Sequence, residues 1–152
     1  MEVIKINNEY TLYLDKYEIS NIFSIGNKYR VVITLKNIIG LELLKINCSI
    51  SDIFILLNNI EYAISSNQDV LCCISSSLYN IKYLFEIIIN YDKYNNLNEY
   101  TGDNNEIYLK ISSMMNIEEV KPIITLNISN CIDELIDKLY TLLSKNNNII
   151  QE

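Results

Sequence analysis

Several side-chain groups in this chain have the types that catalysis or metal binding uses, and each fails on spacing or on a missing partner. Cys72 and Cys73 are adjacent, and with Cys48 and Cys131 they are the only cysteines. None makes a CxxC pair, so a zinc or thioredoxin-type site is not expected. The sequence has no histidine, which removes Ser-His and Cys-His nucleophile activation and every His-ligated metal. Ser75-Ser76-Ser77 has no flanking glycine and no base, and reads as a turn. Two carboxylate pairs occur, Glu118-Glu119 and Asp133-Glu134. Acid–base catalysis needs one member in an environment that shifts its pKa, and neither context promises that. Asp103-Asn104-Asn105-Glu106 follows Gly102 instead of surrounding a glycine, so it does not match a calcium loop. With three glycines in all, no phosphate-cradling Gly-rich loop is available. The expectation is a protein that is not an enzyme, with no catalytic, cofactor-binding or metal-binding residues.

Recognition chemistry is the remaining option, and it gathers in one place. Tyr91, Asp92, Tyr94, Glu99, Tyr100 and Asp103 fall in or beside an Asn-rich stretch over residues 92–105. Tyrosine offers large rigid contact area with a polar tip, and is enriched on recognition surfaces. Loops longer than about 12 residues are commonly either functional or disordered, so the alternative for this stretch is a mobile loop without a role. These six residues are the candidate partner-binding set. The connection from Asp15 to Gly26, with Asp15, Tyr17 and Glu18, is the next candidate.

Composition narrows the class of partner. The 152 residues carry 19 acidic and 12 basic side chains, a net charge of −7, with Arg30 the single arginine. Nucleic-acid binding needs clustered Lys and Arg, so a protein partner with a basic surface fits better. Twenty-nine Ile and 22 Asn point to A/T-rich codons and a low-GC genome. No apolar run approaches the ~20 residues of a membrane span, and Met1 to Ile6 lacks the features of a secretory signal. A cytoplasmic location is therefore expected, with the four cysteines reduced and buried in the core.

The elements that must position these residues follow from periodicity. Tyr10, Leu12 and Leu14 alternate with Thr11 and Tyr13, as a half-buried strand does. Asn7-Asn8 marks a turn joining strands over Val3–Ile6 and Glu9–Asp15. Alternation resumes over Lys28–Lys36 and over Ile39–Cys48, where the phase slip at Leu43-Leu44 predicts a bulge. At Ser51 the period changes. Ile53, Leu57, Ile60 and Ile64, widened by Phe54 and Leu56, predict a helix over residues 51–65 with Ser49 or Ser51 as cap. Strands are then expected over Asp69–Ser75, Leu78–Tyr91, Glu106–Ser112 and Lys121–Ile128, with residues 113–120 irregular. Ile132, Leu135, Ile136, Leu139, Leu142 and Leu143 form the stripe of a last helix over residues 130–145. Ser129-Asn130 offers its cap, Asp133-Glu134 its acidic first turn, and Asn146–Asn148 its stop. The whole reads as one α+β domain over residues 1–152: a mainly antiparallel, curved sheet with two amphipathic helices. Its halves look like a loose duplication.

Three stretches carry a family resemblance. They are Ser51-Asp52-Ile53-Phe54-x-x-Leu57-x-x-Ile60, then Ile124-x-Leu126-x-Ile128, then Asp133-x-Leu135-x-x-x-Leu139-x-x-x-Leu143. In this order they resemble the WapI-type immunity proteins and related small immunity proteins of bacterial polymorphic toxin systems. That resemblance implies a non-catalytic protein that binds and neutralises a toxin domain; with the negative charge, the expected mechanism is occlusion of a basic surface on that partner. The alternative is a structural or assembly protein, or a host-defence inhibitor, of a low-GC phage or virus.

Overall fold

A computed structural model describes residues 1–19, 29–76, 81–89, 106–116 and 119–150. In chain order they form β1 (Glu2–Lys5), β2 (Tyr10–Glu18), β3 (Tyr29–Asn37), β4 (Glu42–Ser49) and α1 (Ile50–Ser66), followed by β5 (Val70–Ser75), β6 (Lys82–Ile89), β7 (Ile107–Asn116), β8 (Glu119–Asn127) and α2 (Ile132–Ile150). The α+β class, the antiparallel pairing and the two helices agree with the sequence reading. The strands divide into two four-stranded sheets, β1-β2-β3-β4 and β5-β6-β7-β8, each an antiparallel meander followed by its helix. The duplication is thus one of element order.

Asparagine builds two of the turns. Asn7 Oδ1 accepts from the amides of Glu9 and Tyr10 at 2.7 and 3.0 Å. Asn37 Oδ1 does the same for Ile39 and Leu41 at 3.2 and 2.9 Å. Such side chains mimic a backbone turn. Gly40 completes the β3–β4 turn at φ +87°, where a Cβ would be strained. The bulge is at Leu43: Leu35 pairs with Leu44, whereas the next residue, Lys36, pairs with Glu42.

Helix α1 starts on a capping box. Ser49 Oγ accepts from the Asp52 amide at 3.1 Å, and Asp52 Oδ2 accepts from the Ser49 amide at 3.1 Å. Asn67 ends it in the left-handed region at φ 55°. Helix α2 begins differently: the Cys131 carbonyl accepts from the Leu135 amide at 2.8 Å. The Ser129 hydroxyl expected to cap it instead accepts from the Ile107 amide at 2.8 Å and holds the start of β7. Nor do Asn146–Asn148 stop this helix, which continues through them to Ile150.

One contiguous core joins both sheets and both helices. Helix α1 packs on β3 and β4 of its own half and on β5 and β6 of the other, while α2 reaches β1 and α1. Each helix therefore seals the other half's first strand. Two polar links tie α2 to the first sheet. Lys138 pairs with the buried Glu2 carboxylate at 3.2 Å, and Lys16 Nζ donates to the Leu142 carbonyl at 2.7 Å.

Three expectations are corrected here. Ile64 and Phe54 lie on the exposed side of α1, and its buried stripe is Ile50, Ile53, Leu56, Leu57, Ile60 and Ala63. The stripe is rotated because α1 is covered by strands from both sheets. Residues 113–116 and 119–120 are strand, not irregular; β7 and β8 run on past two register shifts that break the alternation. Cys73 is exposed, because it points to the solvent face of β5 with Leu71 and Ser75, opposite the buried Cys72 and Ile74.

Candidate functional site

The thiols are positioned as structure. Cys48 is fully buried, with Sγ 3.5 Å from the Val31 carbonyl, and burial pushes its pKa up to about 12. Burial likewise raises Cys72 to about 11, and it raises Cys131. A thiol held protonated at neutral pH is a poor nucleophile. The carboxylate pair Asp133-Glu134 lies in the first turn of α2, where the positive end of the helix dipole favours it. Glu119 is exposed at the start of β8, and Glu118 lies outside the described residues. Among the described residues, no three His, Cys, Asp or Glu side chains converge as a metal site.

Of the recognition candidates, Tyr91, Asp92, Tyr94, Glu99, Tyr100 and Asp103 all lie outside the described residues. The second candidate set is described in part. Asp15, Tyr17 and Glu18 occupy the end of β2, and cross-strand pairing places Tyr17 directly opposite Arg30 of β3. Asn47 of β4 links the two. Its Nδ2 donates to Tyr17 Oη at 2.6 Å, its Oδ1 accepts from Arg30 Nε at 3.0 Å, and its carbonyl accepts from a terminal Arg30 nitrogen at 3.3 Å. Three strands thus hold an aromatic ring and a guanidinium in one geometry on the outer face of the first sheet. Further along that face the Lys36 ammonium sits 5.2 Å from the Tyr13 ring centre. Sequence reading named Tyr17 but missed Arg30 and Asn47 as its partners. The available signal was Arg30 itself, the chain's single arginine, on the outward phase of an alternating strand.

Two apolar features are also exposed. A groove of about 680 Å³ opens between the helices, lined by Ile50, Phe54 and Ile55 of α1 and Tyr140 and Leu143 of α2, with Ser51 and Ser144. Tyr140 Oη donates to Glu61 Oε1 at 2.7 Å across its wall, and that bond holds the tyrosine pKa above its ordinary value. At the opposite end of β4, the β3–β4 turn presents Ile38, Ile39 and Leu41 to solvent. Among the described residues, no helix is long and apolar enough to cross a membrane.

The chain matches no family model, no curated protein and no solved structure.

Proposed function

We propose that this chain is a non-catalytic binding protein of the inhibitor or immunity type. It acts in the cytoplasm by covering the working surface of a partner protein. The observation that carries this reading is the Tyr17–Asn47–Arg30 arrangement. Tyr and Arg supply much of the energy at protein interfaces. Here both are ordered before binding, which lowers the entropy lost on association. The net charge of −7 supports a basic partner, because opposite charge raises the encounter rate. A toxin domain of a polymorphic toxin system is the partner that the resemblance to WapI-type immunity proteins implies. The tyrosines and acids of the 90–105 segment are a second proposed set of contacts.

The test is binding kinetics against the protein recovered on immobilised wild-type chain. Tyr17→Ala and Arg30→Ala should each raise the dissociation rate at least tenfold, in variants that keep the wild-type circular dichroism spectrum. Unchanged rates for both variants would place recognition elsewhere. The second reading, an assembly protein, is favoured by the exposed apolar side chains of the β3–β4 turn, Ile38, Ile39 and Leu41.

A further inference from the structure

Charge is divided unevenly along the chain. Residues 1–49 hold six basic and five acidic side chains, whereas residues 50–152 hold six and fourteen. The first sheet sharpens that division, because register gathers cations that lie far apart in sequence. Opposite the buried Ile4, Leu12, Ile33 and Ile46, its outer face carries Lys5, Arg30, Lys36 and Lys45. The carboxylates on that face are Asp15 and, beside the bulge, Glu42. Lys5, Thr11 and Lys36 stand in one cross-strand row, and Tyr13, Thr34 and Lys45 in the next. Among the described residues, none of Lys5, Lys36 and Lys45 is within ion-pair distance of a carboxylate.

Two tyrosines share this face. Tyr13 and Tyr17 lie four positions apart on β2, about 13 Å at ~3.3 Å per residue. Tyr17 is held by Asn47, and the Lys36 ammonium sits over the Tyr13 ring. Both helices pack on the core side of the sheet, so the helix carboxylates stand behind this face, and salt at 0.1 M screens exposed charges more than about 10 Å apart. Aromatic rings flanked by cations on an open sheet are what a single-stranded nucleic acid engages. Bases stack on the rings whatever their sequence, and Lys and Arg meet the phosphates between them. A carboxylate-rich peptide would meet the cations and leave the ring faces unused. A duplex keeps its bases stacked on one another and out of the rings' reach.

We propose that the outer face of β1–β4 binds single-stranded nucleic acid, with bases stacked on Tyr13 and Tyr17 and phosphates on Arg30, Lys36 and Lys45. Asp15, between the rings, repels a phosphate there and keeps the backbone path over β3 and β4. Lys36 leaves the Tyr13 ring for a phosphate as a base takes its place. This role shares Tyr17 and Arg30 with the inhibitor reading but does not rest on it; Tyr13, Lys36 and Lys45 are its own. The cation set escapes a reading of the sequence because positions 30, 36 and 45 cluster only through strand register.

Fluorescence anisotropy of a labelled oligothymidylate tests it. The wild type should bind, with the logarithm of affinity falling against the logarithm of salt concentration at a slope of about −2, as three phosphate contacts on a single strand require. Lys45→Gln should make that slope shallower by about 0.7. Tyr13→Ala should weaken binding at least tenfold, and Tyr13→Phe should bind as the wild type does, because the ring and not the hydroxyl stacks. These variants change outer-face positions and should keep the wild-type circular dichroism spectrum. A wild type that binds no oligothymidylate at low salt overturns the proposal. So does binding indifferent to Tyr13→Ala, or a salt slope unmoved by Lys45→Gln. Duplex DNA binding as tightly as the single strand, or polyglutamate displacing the probe as readily as unlabelled oligothymidylate, would assign the face to anions in general or to an acidic protein and equally overturn it. The protein partner enters none of these measurements, so failure here leaves the inhibitor reading standing, and failure of that reading leaves this one.

Discussion

The two halves of the molecule share an element order and differ in what they do with it. In β1–β4 the register shifts once, at the Leu43 bulge, asparagine turns close two hairpins, and the outer face carries ordered polar contacts among Tyr17, Asn47 and Arg30. In β5–β8 the register shifts twice between β7 and β8, and Leu71 and Cys73 face solvent on the edge strand. The helices differ likewise. Helix α1 has a reciprocal side-chain cap and rests on both sheets, whereas α2 starts on a backbone carbonyl and is anchored through Glu2 and Lys16. Repeating a topology does not repeat its chemistry, because capping and outer-face residues are free to diverge while the inward residues must still fill one core.

The largest expected effect tests whether that core is shared. Leu139 and Ile60 are both fully buried, one in each helix. Leu139→Ala and Ile60→Ala should each cost about 2–5 kcal/mol. Each should lower a single urea transition followed by circular dichroism. Two separate transitions would show that the halves unfold independently.

Next comes the asymmetry of the helix starts. Ser49→Ala removes the α1 cap and should cost about 1 kcal/mol. Ser129→Ala should cost no more than about 1.5 kcal/mol, and should accelerate amide exchange at Ile107, not within α2. Equal loss of α2 protection would mean that Ser129 caps the helix after all.

The thiols sharpen the contrast between inner and outer faces. A native thiol titration at pH 8 should modify Cys73 quickly and Cys48, Cys72 and Cys131 only as fast as the protein opens. The sign of the pH dependence follows from the raised values. Below about pH 9 these thiols are protonated in both states and burial carries no ionisation penalty. As pH rises from 9.0 toward about 12, Cys48 ionises only when unfolded, so stability falls by at most ~1.4 kcal/mol per pH unit for that group. Cys48→Ala should flatten that part of the alkaline stability curve.

The smallest effects concern encounter. Against a basic partner, Tyr94→Ala or Tyr100→Ala should raise the dissociation rate, whereas Asp103→Asn should slow association by a few-fold at low salt and less at high salt. If a short Gly-Ser linker in place of residues 90–105 leaves both rates unchanged in a folded protein, binding rests on the Tyr17 face alone.

Much of the fold could be read from local pattern. Alternation over Tyr29–Leu35, the Ser49–Asp52 spacing and the Leu135–Leu139–Leu142 stripe depend on periods of two and 3.6 residues that a strand or helix imposes by itself. The absence of histidine removes Ser-His and Cys-His activation and His-ligated metals by composition alone. Cys72-Cys73 shows where local pattern stops. Adjacent strand residues face opposite ways, but only a sheet with one uncovered face puts the second thiol in water. In the same way, the α1 stripe was visible while its angular position was not. Whether Ala63 or Ile64 is covered depends on strands from both sheets arriving at that helix. The Tyr17–Asn47–Arg30 arrangement needs the register of three strands, and the groove needs Phe54 and Tyr140, separated by 86 positions, to share a wall. Sequence determined most of the elements, because these follow from residues within a few positions of one another. Tertiary structure alone decided which polar and apolar groups meet, because convergence across strands and helices is set by packing and register.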